Sequence, residues 1–129
     1  MADLLLVETP HGSASEEKVD VPPLGLAYIA AVAEQNGFSS EIVDLNLRDV
    51  NLEKSVKKAG LVCISSYTHN YHRTLGILRL AKTHDKTVVI GGPHATPLYI
   101  EVLRDGFDYV VRGEGEYPVL DLLKGASDA

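Results

Sequence analysis

An α/β domain built on a parallel five-stranded sheet is what this sequence predicts, on three observations. Five short apolar runs recur along the chain, and each is followed by a stretch with helical spacing of apolar residues. Gly, Pro and Asn punctuate the changeovers. The segments rich in small and polar residues collect after the strands, while the connections after the helices are plain.

Each element follows in order. Leu4–Val7 is unbroken apolar sequence ended by Pro10 and Gly12, as expected of a strand buried on both faces. Pro22-Pro23 opens a helix in which Leu24, Ala27, Tyr28 and Ala31 fall at i, i+3, i+4 and i+7, and Gly37 closes it as a left-handed cap. Glu41–Leu45 is the second strand, followed by a short helix over Leu52–Ala59 with Asn51 as amino cap and Gly60 beyond its end. Lys57 and Lys58 in its last turn complement the helix dipole. Leu61–Ile64 gives the third strand, and His69–His84 a longer helix burying Leu75, Leu78 and Tyr71. Thr87–Ile90 is the fourth strand. It runs into Gly91-Gly92, after which Thr96 and Pro97 hold cap and first-turn positions of a helix closed by Gly106. Tyr109–Val111 is the fifth strand, and Pro118 starts a last helix carrying Val119, Leu120, Leu122 and Leu123.

Strict strand–helix alternation with short strands implies right-handed crossovers and helices on both faces. The expected architecture is therefore flavodoxin-like (Rossmann-like), with strand order 2-1-3-4-5. Ligands of such sheets bind beyond the carboxyl ends of the strands where the order reverses, here between the first and third strands. The loops that reach this edge hold Thr9-Pro10-His11-Gly12-Ser13, Ser65-Ser66-Tyr67-Thr68-His69, Gly91-Gly92-Pro93-His94-Ala95-Thr96 and Arg112-Gly113-Glu114-Gly115-Glu116.

Composition narrows the function. The 129 residues suit one domain, placed at 1–125, with 126–129 read as a tail or the cut edge of a longer protein. Acidic residues outnumber basic ones by 18 to 12, with no basic stripe, which argues against nucleic acid as a partner. The one cysteine, Cys63, lies within an apolar run, so it reads as core, and the chain builds neither a disulfide framework nor a cysteine-ligated cluster by itself. No apolar stretch approaches the roughly 20 residues that span a bilayer, and the start lacks a basic secretory segment, so a cytoplasmic setting is expected. Leu, Tyr and Pro residues near the last helix predict a partner-covered surface and weak self-association.

Small residues at a strand edge let a ligand approach backbone amides, and Ser65, Ser66, Gly91 and Gly92 meet that need on two neighbouring strands. Gly91-Gly92 also suits a plain turn. Histidines 11, 69 and 94 share the edge, with His72 one turn beyond His69, yet their scatter over separate loops reads as polar loop residues rather than a metal site. His84 reads as a cation at the end of its helix. Gly113-Glu114-Gly115-Glu116-Tyr117-Pro118 has the outline of a dinucleotide fingerprint, but it follows the last strand and puts carboxylates where pyrophosphate would sit. A nucleotide-hydrolase phosphate loop is missing. A phospho-receiver would want an aspartate where Ser65 stands and a lysine where Arg112 stands. Flavin mononucleotide remains open, with Thr9–Ser15 for its phosphate and Tyr67 to stack on its ring.

The combination Pro22–Ala30, Ile64–Thr68, Gly91–Thr96 and Gly113–Glu116 resembles the amino-terminal cobalamin-binding domain of cobalamin-dependent radical S-adenosylmethionine enzymes, the group that includes anaerobic magnesium-protoporphyrin monomethyl ester cyclase and radical methyltransferases. The resemblance covers nearly the whole chain. It implies a cobalamin whose corrin lies over the sheet's carboxyl edge and whose dimethylbenzimidazole tail runs down beside the strands. The implied contact residues are Thr9, Pro10 and His11 after the first strand, Ser65, Ser66 and Thr68 after the third, Gly91, Gly92, Pro93 and His94 after the fourth, and Gly113, Glu114 and Gly115 after the fifth. Relatives that ligate cobalt through histidine carry Asp-x-His-x-x-Gly. Here Thr9 stands where that aspartate would be and Ala14 replaces the glycine, so no protein histidine is expected on cobalt. A radical enzyme also needs three clustered cysteines, so this chain is expected to be non-catalytic alone, with no iron–sulfur cluster, and to serve a radical S-adenosylmethionine domain in cis or trans. A cofactor-free interaction domain of such an enzyme is the alternative.

Overall fold

The computed structural model describes residues 2–10, 24–46, 50–66, 70–92, 99–113 and 115–128. Its strands are β1 (Ala2–Glu8), β2 (Ser40–Asp44), β3 (Ala59–Ser65), β4 (Thr87–Gly91) and β5 (Tyr109–Val110). Between and after them run the helices α1 (Leu24–Gln35), α2 (Leu52–Lys58), α3 (Tyr71–Thr83), α4 (Tyr99–Arg104) and α5 (Glu116–Asp128). The strands form one sheet in the order β2-β1-β3-β4-β5, every pair parallel. That is the flavodoxin-like, Rossmann-like order expected from the alternation.

Strand periodicity splits the core in two. Leu4 and Leu6 of β1, Leu61 and Cys63 of β3 and Val89 of β4 face Leu26, Ile29, Ala30 and Ala33 of α1 and Val119 and Leu123 of α5. Leu5 and Val7, Val62 and Ile64, and Val88 and Ile90 face Val56 of α2, Ile77, Leu78 and Ala81 of α3 and Val102 of α4. Each fully buried side chain of this size contributes roughly 1.5–3 kcal/mol, which is why three central strands of such short length hold together. Gly37 and Gly106 take positive φ, as expected of residues that follow helices. Asn51 caps α2, its side chain accepting from the Lys54 amide at 3.1 Å.

Several element details differ from the sequence reading. The buried face of α1 is Leu26, Ile29, Ala30 and Ala33, whereas Tyr28 of the expected face is 62% exposed. Almost every residue of Leu24–Ala33 is apolar, so spacing alone fits two faces, and α5 packing across α1 selects between them. Thr74 and Ile77 take the buried positions of α3 beside Leu78, while Leu75 and Tyr71 are partly buried. Helix α2 ends at Lys58, one residue earlier than expected, so Ala59 and the Gly60 beyond it already belong to β3. The last helix begins at Glu116, two residues before Pro118, and continues through 126–128, the stretch read as a tail.

Candidate functional site

At the carboxyl ends of the strands, Asp44, Glu8, Ser65 and Gly91 lie side by side in register across β2, β1, β3 and β4. Side chains alternate along a strand. Glu8, Ser65 and Gly91 therefore continue the face of Leu6, Cys63 and Val89, toward α1 and α5. Thr9 and Ser66, one residue on, continue the face of Val7 and Ile64, toward α3.

The α3 side of this rim is closed by hydroxyls. Thr9, Ser66 and Thr74 are fully buried and Asn70 nearly so. Thr9 Oγ1 and Thr74 Oγ1 are 3.1 Å apart, Thr74 Oγ1 donates to Ser66 Oγ at 2.8 Å, and Ser66 Oγ reaches Asn70 Oδ1 at 3.4 Å. Asn70 Nδ2 donates to the Pro10 carbonyl at 3.1 Å. Backbone bonds knit the same region, from the Thr9 amide to the Ser65 carbonyl at 3.4 Å and from the Ser66 amide to the Gly91 carbonyl at 3.1 Å. Among the described residues no buried side-chain polar atom lacks a partner.

The two glycines at the end of β4 have different reasons to be glycine. Gly92 sits at φ +104°, and a Cβ there would stand 2.5 Å from the Ser66 carbonyl oxygen. Its bareness is used by the protein's own backbone. A side chain at Gly92 would therefore disturb the fold before it met any ligand. A Cβ on Gly91 would meet nothing nearer than Val111, at 3.9 Å. The same Val111 lies 3.7 Å from the Cβ position of Gly115, which also comes within 3.0 Å of Ile29 of α1, while a Cβ on Gly113, at φ +79°, would meet no described residue within 4 Å. Gly91 and Gly115 thus share Val111 as a neighbour on the side of α1 and α5.

Glu8 is the unusual charge here. Only 5% exposed, its carboxyl is pushed up to about 7, first by burial and then by the facing Asp44 carboxylate. Asp44 in turn accepts from the backbone amide and side-chain amide of Asn46, at 2.9 and 2.8 Å. Burial alone pushes the Cys63 thiol up to about 12, which fits its reading as core and not as a nucleophile. His84 pairs with Glu53 at 3.2 Å, joining the end of α3 to α2. Among the described residues no three His, Cys, Asp or Glu side chains gather as a metal site would require.

The structure thus brings Thr9, Pro10, Ser65, Ser66, Gly91 and Gly92 to one rim, with Gly113 and Gly115 adjoining it. His11, Thr68, Pro93, His94 and Glu114 lie outside the described residues, as do His69 and Tyr67. Sequence reasoning missed Glu8, Asn70 and Thr74. Thr74 carried a usable signal, since it keeps the i, i+3, i+4 and i+7 phase of Ile77, Leu78 and Ala81. A polar residue in a buried phase one turn after a serine-rich loop points to an internal hydrogen-bond network.

Fold and rim together define a doubly wound α/β domain with small residues along the carboxyl ends of its central strands. The B12 binding domain model matches residues 12–123, and the chain belongs to that family as a cobalamin-binding module. It is 36% identical to an uncharacterized methyltransferase of Synechocystis over 99 residues, covering 77% of this chain and 18% of that protein. It is 30% identical over 124 residues to the anaerobic magnesium-protoporphyrin IX monomethyl ester cyclase of Rubrivivax gelatinosus, covering 88% of this chain and 22% of the cyclase. An uncharacterized methyltransferase of Pyrococcus horikoshii is 33% identical, with 96% of this chain and 29% of that protein covered. The chain spans less than a third of each of these relatives. Among solved structures, the radical S-adenosylmethionine methyltransferase TsrM from Kitasatospora setae superposes with TM-score 0.74 at 20% identity, over 98% of this chain and 26% of that one, a likeness of fold. The amino-terminal domain of a hypothetical protein from Thermotoga maritima superposes with TM-score 0.59 at 27% identity, over 78% of this chain and 82% of that one. Among the described residues no helix is long and apolar enough to cross a membrane.

Proposed function

We propose that cobalamin settles on the α1/α5 side of the rim, against Ser65, Gly91, Gly113 and Gly115, with no histidine of this chain on cobalt. Gly91 carries the reading. It lies in register beside Ser65, and among the described residues its missing side chain relieves no close contact. A residue that is bare without internal need leaves backbone open to a bulky guest. His11, Thr68, Pro93, His94 and Glu114 join the contact set from the sequence. Thr9 puts a buried neutral hydroxyl, already engaged with Thr74, at the place of the aspartate that would orient a cobalt-ligating histidine.

Bound cobalamin supplies methyl-transfer or one-electron chemistry at its cobalt. The chain's own residues bind it and exclude water from the rim. One cysteine cannot hold a cluster that takes three, so the radical step belongs to a catalytic domain in cis or trans, of the methyltransferase or cyclase type carried by the relatives' names. Adding hydroxocobalamin to the purified chain tests the reading. Co-elution from a sizing column with a shifted visible band is expected, and cofactor eluting free would overturn it.

A further inference from the structure

The four links that join Thr9, Thr74, Ser66, Asn70 and the Pro10 carbonyl through side chains are satisfied together by one arrangement of protons. Pro10 offers a carbonyl, which only accepts, so the Asn70 amide must point its NH2 there and its oxygen toward Ser66. Ser66 must then donate to Asn70, and its hydroxyl oxygen accepts the proton of Thr74. Thr74 has one proton, directed to Ser66 at 2.8 Å in preference to the Asn70 carbonyl at 3.5 Å, so the hydrogen bond with Thr9 runs from Thr9 to Thr74. The circuit therefore reads Thr9 to Thr74 to Ser66 to Asn70 to the Pro10 carbonyl, and it closes on the residue next to where it began.

From this we infer that Asn70 and Thr74 are positioning residues for the cofactor site: through the one-way hydroxyl circuit, the first turns of α3 hold the exits of β1 and β3 at a fixed separation. The inference rests on the proposed cobalamin reading for its purpose but not for its geometry. Ser66 and Thr9 become internal ties whose hydroxyl protons are committed beneath the rim, leaving Ser65, on the opposite face of β3, as the serine side chain directed to the guest. The Ser66 amide carries the tie onward to the Gly91 carbonyl, so the circuit reaches all three central strands. Buried, fully connected hydroxyls of this kind fix geometry more than they add stability.

Backbone amide hydrogen exchange and hydroxocobalamin titration of the purified chain test this, with wild type, Thr74→Ser, Thr74→Val, Asn70→Ala and Asn70→Asp compared. Thr74→Ser keeps a donor and an acceptor, whereas the near-isosteric Thr74→Val keeps neither. Asn70→Asp keeps the acceptor for Ser66 and loses the donor to Pro10, so it behaves like Asn70→Ala if the circuit runs as assigned. Expected is about tenfold or faster exchange at the Thr9 and Ser66 amides in the Val, Ala and Asp variants, with Val62 in mid-strand unchanged. The cobalamin dissociation constant rises about tenfold in the same three variants, and Thr74→Ser stays within about threefold of wild type. Unchanged exchange at Thr9 and Ser66, a Thr74→Ser variant as impaired as Thr74→Val, or a uniform rise that includes Val62 would each overturn the positioning role. A wild-type chain that fails to bind hydroxocobalamin would overturn the proposed function instead, while the exchange measurements still decide the circuit.

Discussion

The two sides of the sheet's carboxyl rim are built from neighbouring residues and do opposite jobs. On the α3 side, Thr9, Ser66, Asn70 and Thr74 close on one another, and Gly92 is bare because the Ser66 backbone fills its space. On the α1/α5 side, Glu8, Ser65 and Gly91 lie in register, with no described residue crowding the bare side of Gly91. Each pair, Glu8 and Thr9, Ser65 and Ser66, Gly91 and Gly92, is divided by the alternation of a strand. The lesson is that a small-residue loop is not one site: every second residue belongs to the scaffold.

The strongest way to break that comparison is at Gly92. A Cβ at 2.5 Å from a backbone oxygen and a positive φ together leave no room for relaxation, so Gly92→Val should destabilise the fold by about 3 kcal/mol or more. Thermal denaturation and far-ultraviolet circular dichroism would show it, and loss of cobalamin binding would follow from loss of fold. Glu8→Gln comes next. A folded carboxyl raised from 4.5 to about 7 binds more protons than the unfolded chain between those values, so wild-type stability falls as pH rises through that window and is level above it. Urea unfolding should find Glu8→Gln more stable than wild type by up to about 3 kcal/mol at pH 8 and equal to it near pH 4.

Gly91→Val sharpens the contrast with its neighbour. Its stability should stay within about 1 kcal/mol of wild type, while hydroxocobalamin binding, read by visible absorbance, weakens about a hundredfold. The smallest effect belongs to Asp108, far from the rim. Its Oδ2 accepts from the Val88 amide at the start of β4 and pairs with Lys82. Asp108→Ala should cost about 1 kcal/mol in denaturant unfolding and leave cobalamin affinity unchanged.

Much of the fold was legible because its signals are local. Leu4–Val7, Leu61–Ile64 and Thr87–Ile90 are short apolar runs that only a strand covered on both faces can use, and alternation with helices orders them. The rotation of α1 was not legible, because nearly all its residues are apolar and the choice of face is made by α5, far along the chain. For the site, sequence located the rim by its small residues but could not divide it. Telling Gly91 from Gly92, or Ser65 from Ser66, requires knowing which side of the sheet each faces. Glu8 escaped notice because an acid closing an apolar run looks like the first solvated residue. It lies instead between β2 and β3 in the sheet, with a second carboxylate, Asp44, in register beside it.

A crystal structure of the domain with cobalamin tests the central claim most directly. The cofactor's nucleotide tail is expected to lie on the α1/α5 face beside Ser65 and Gly91, with the Thr9–Thr74–Ser66–Asn70 circuit intact beneath it. Density for that tail on the α3 face, with those hydroxyls turned outward to meet it, would contradict the account.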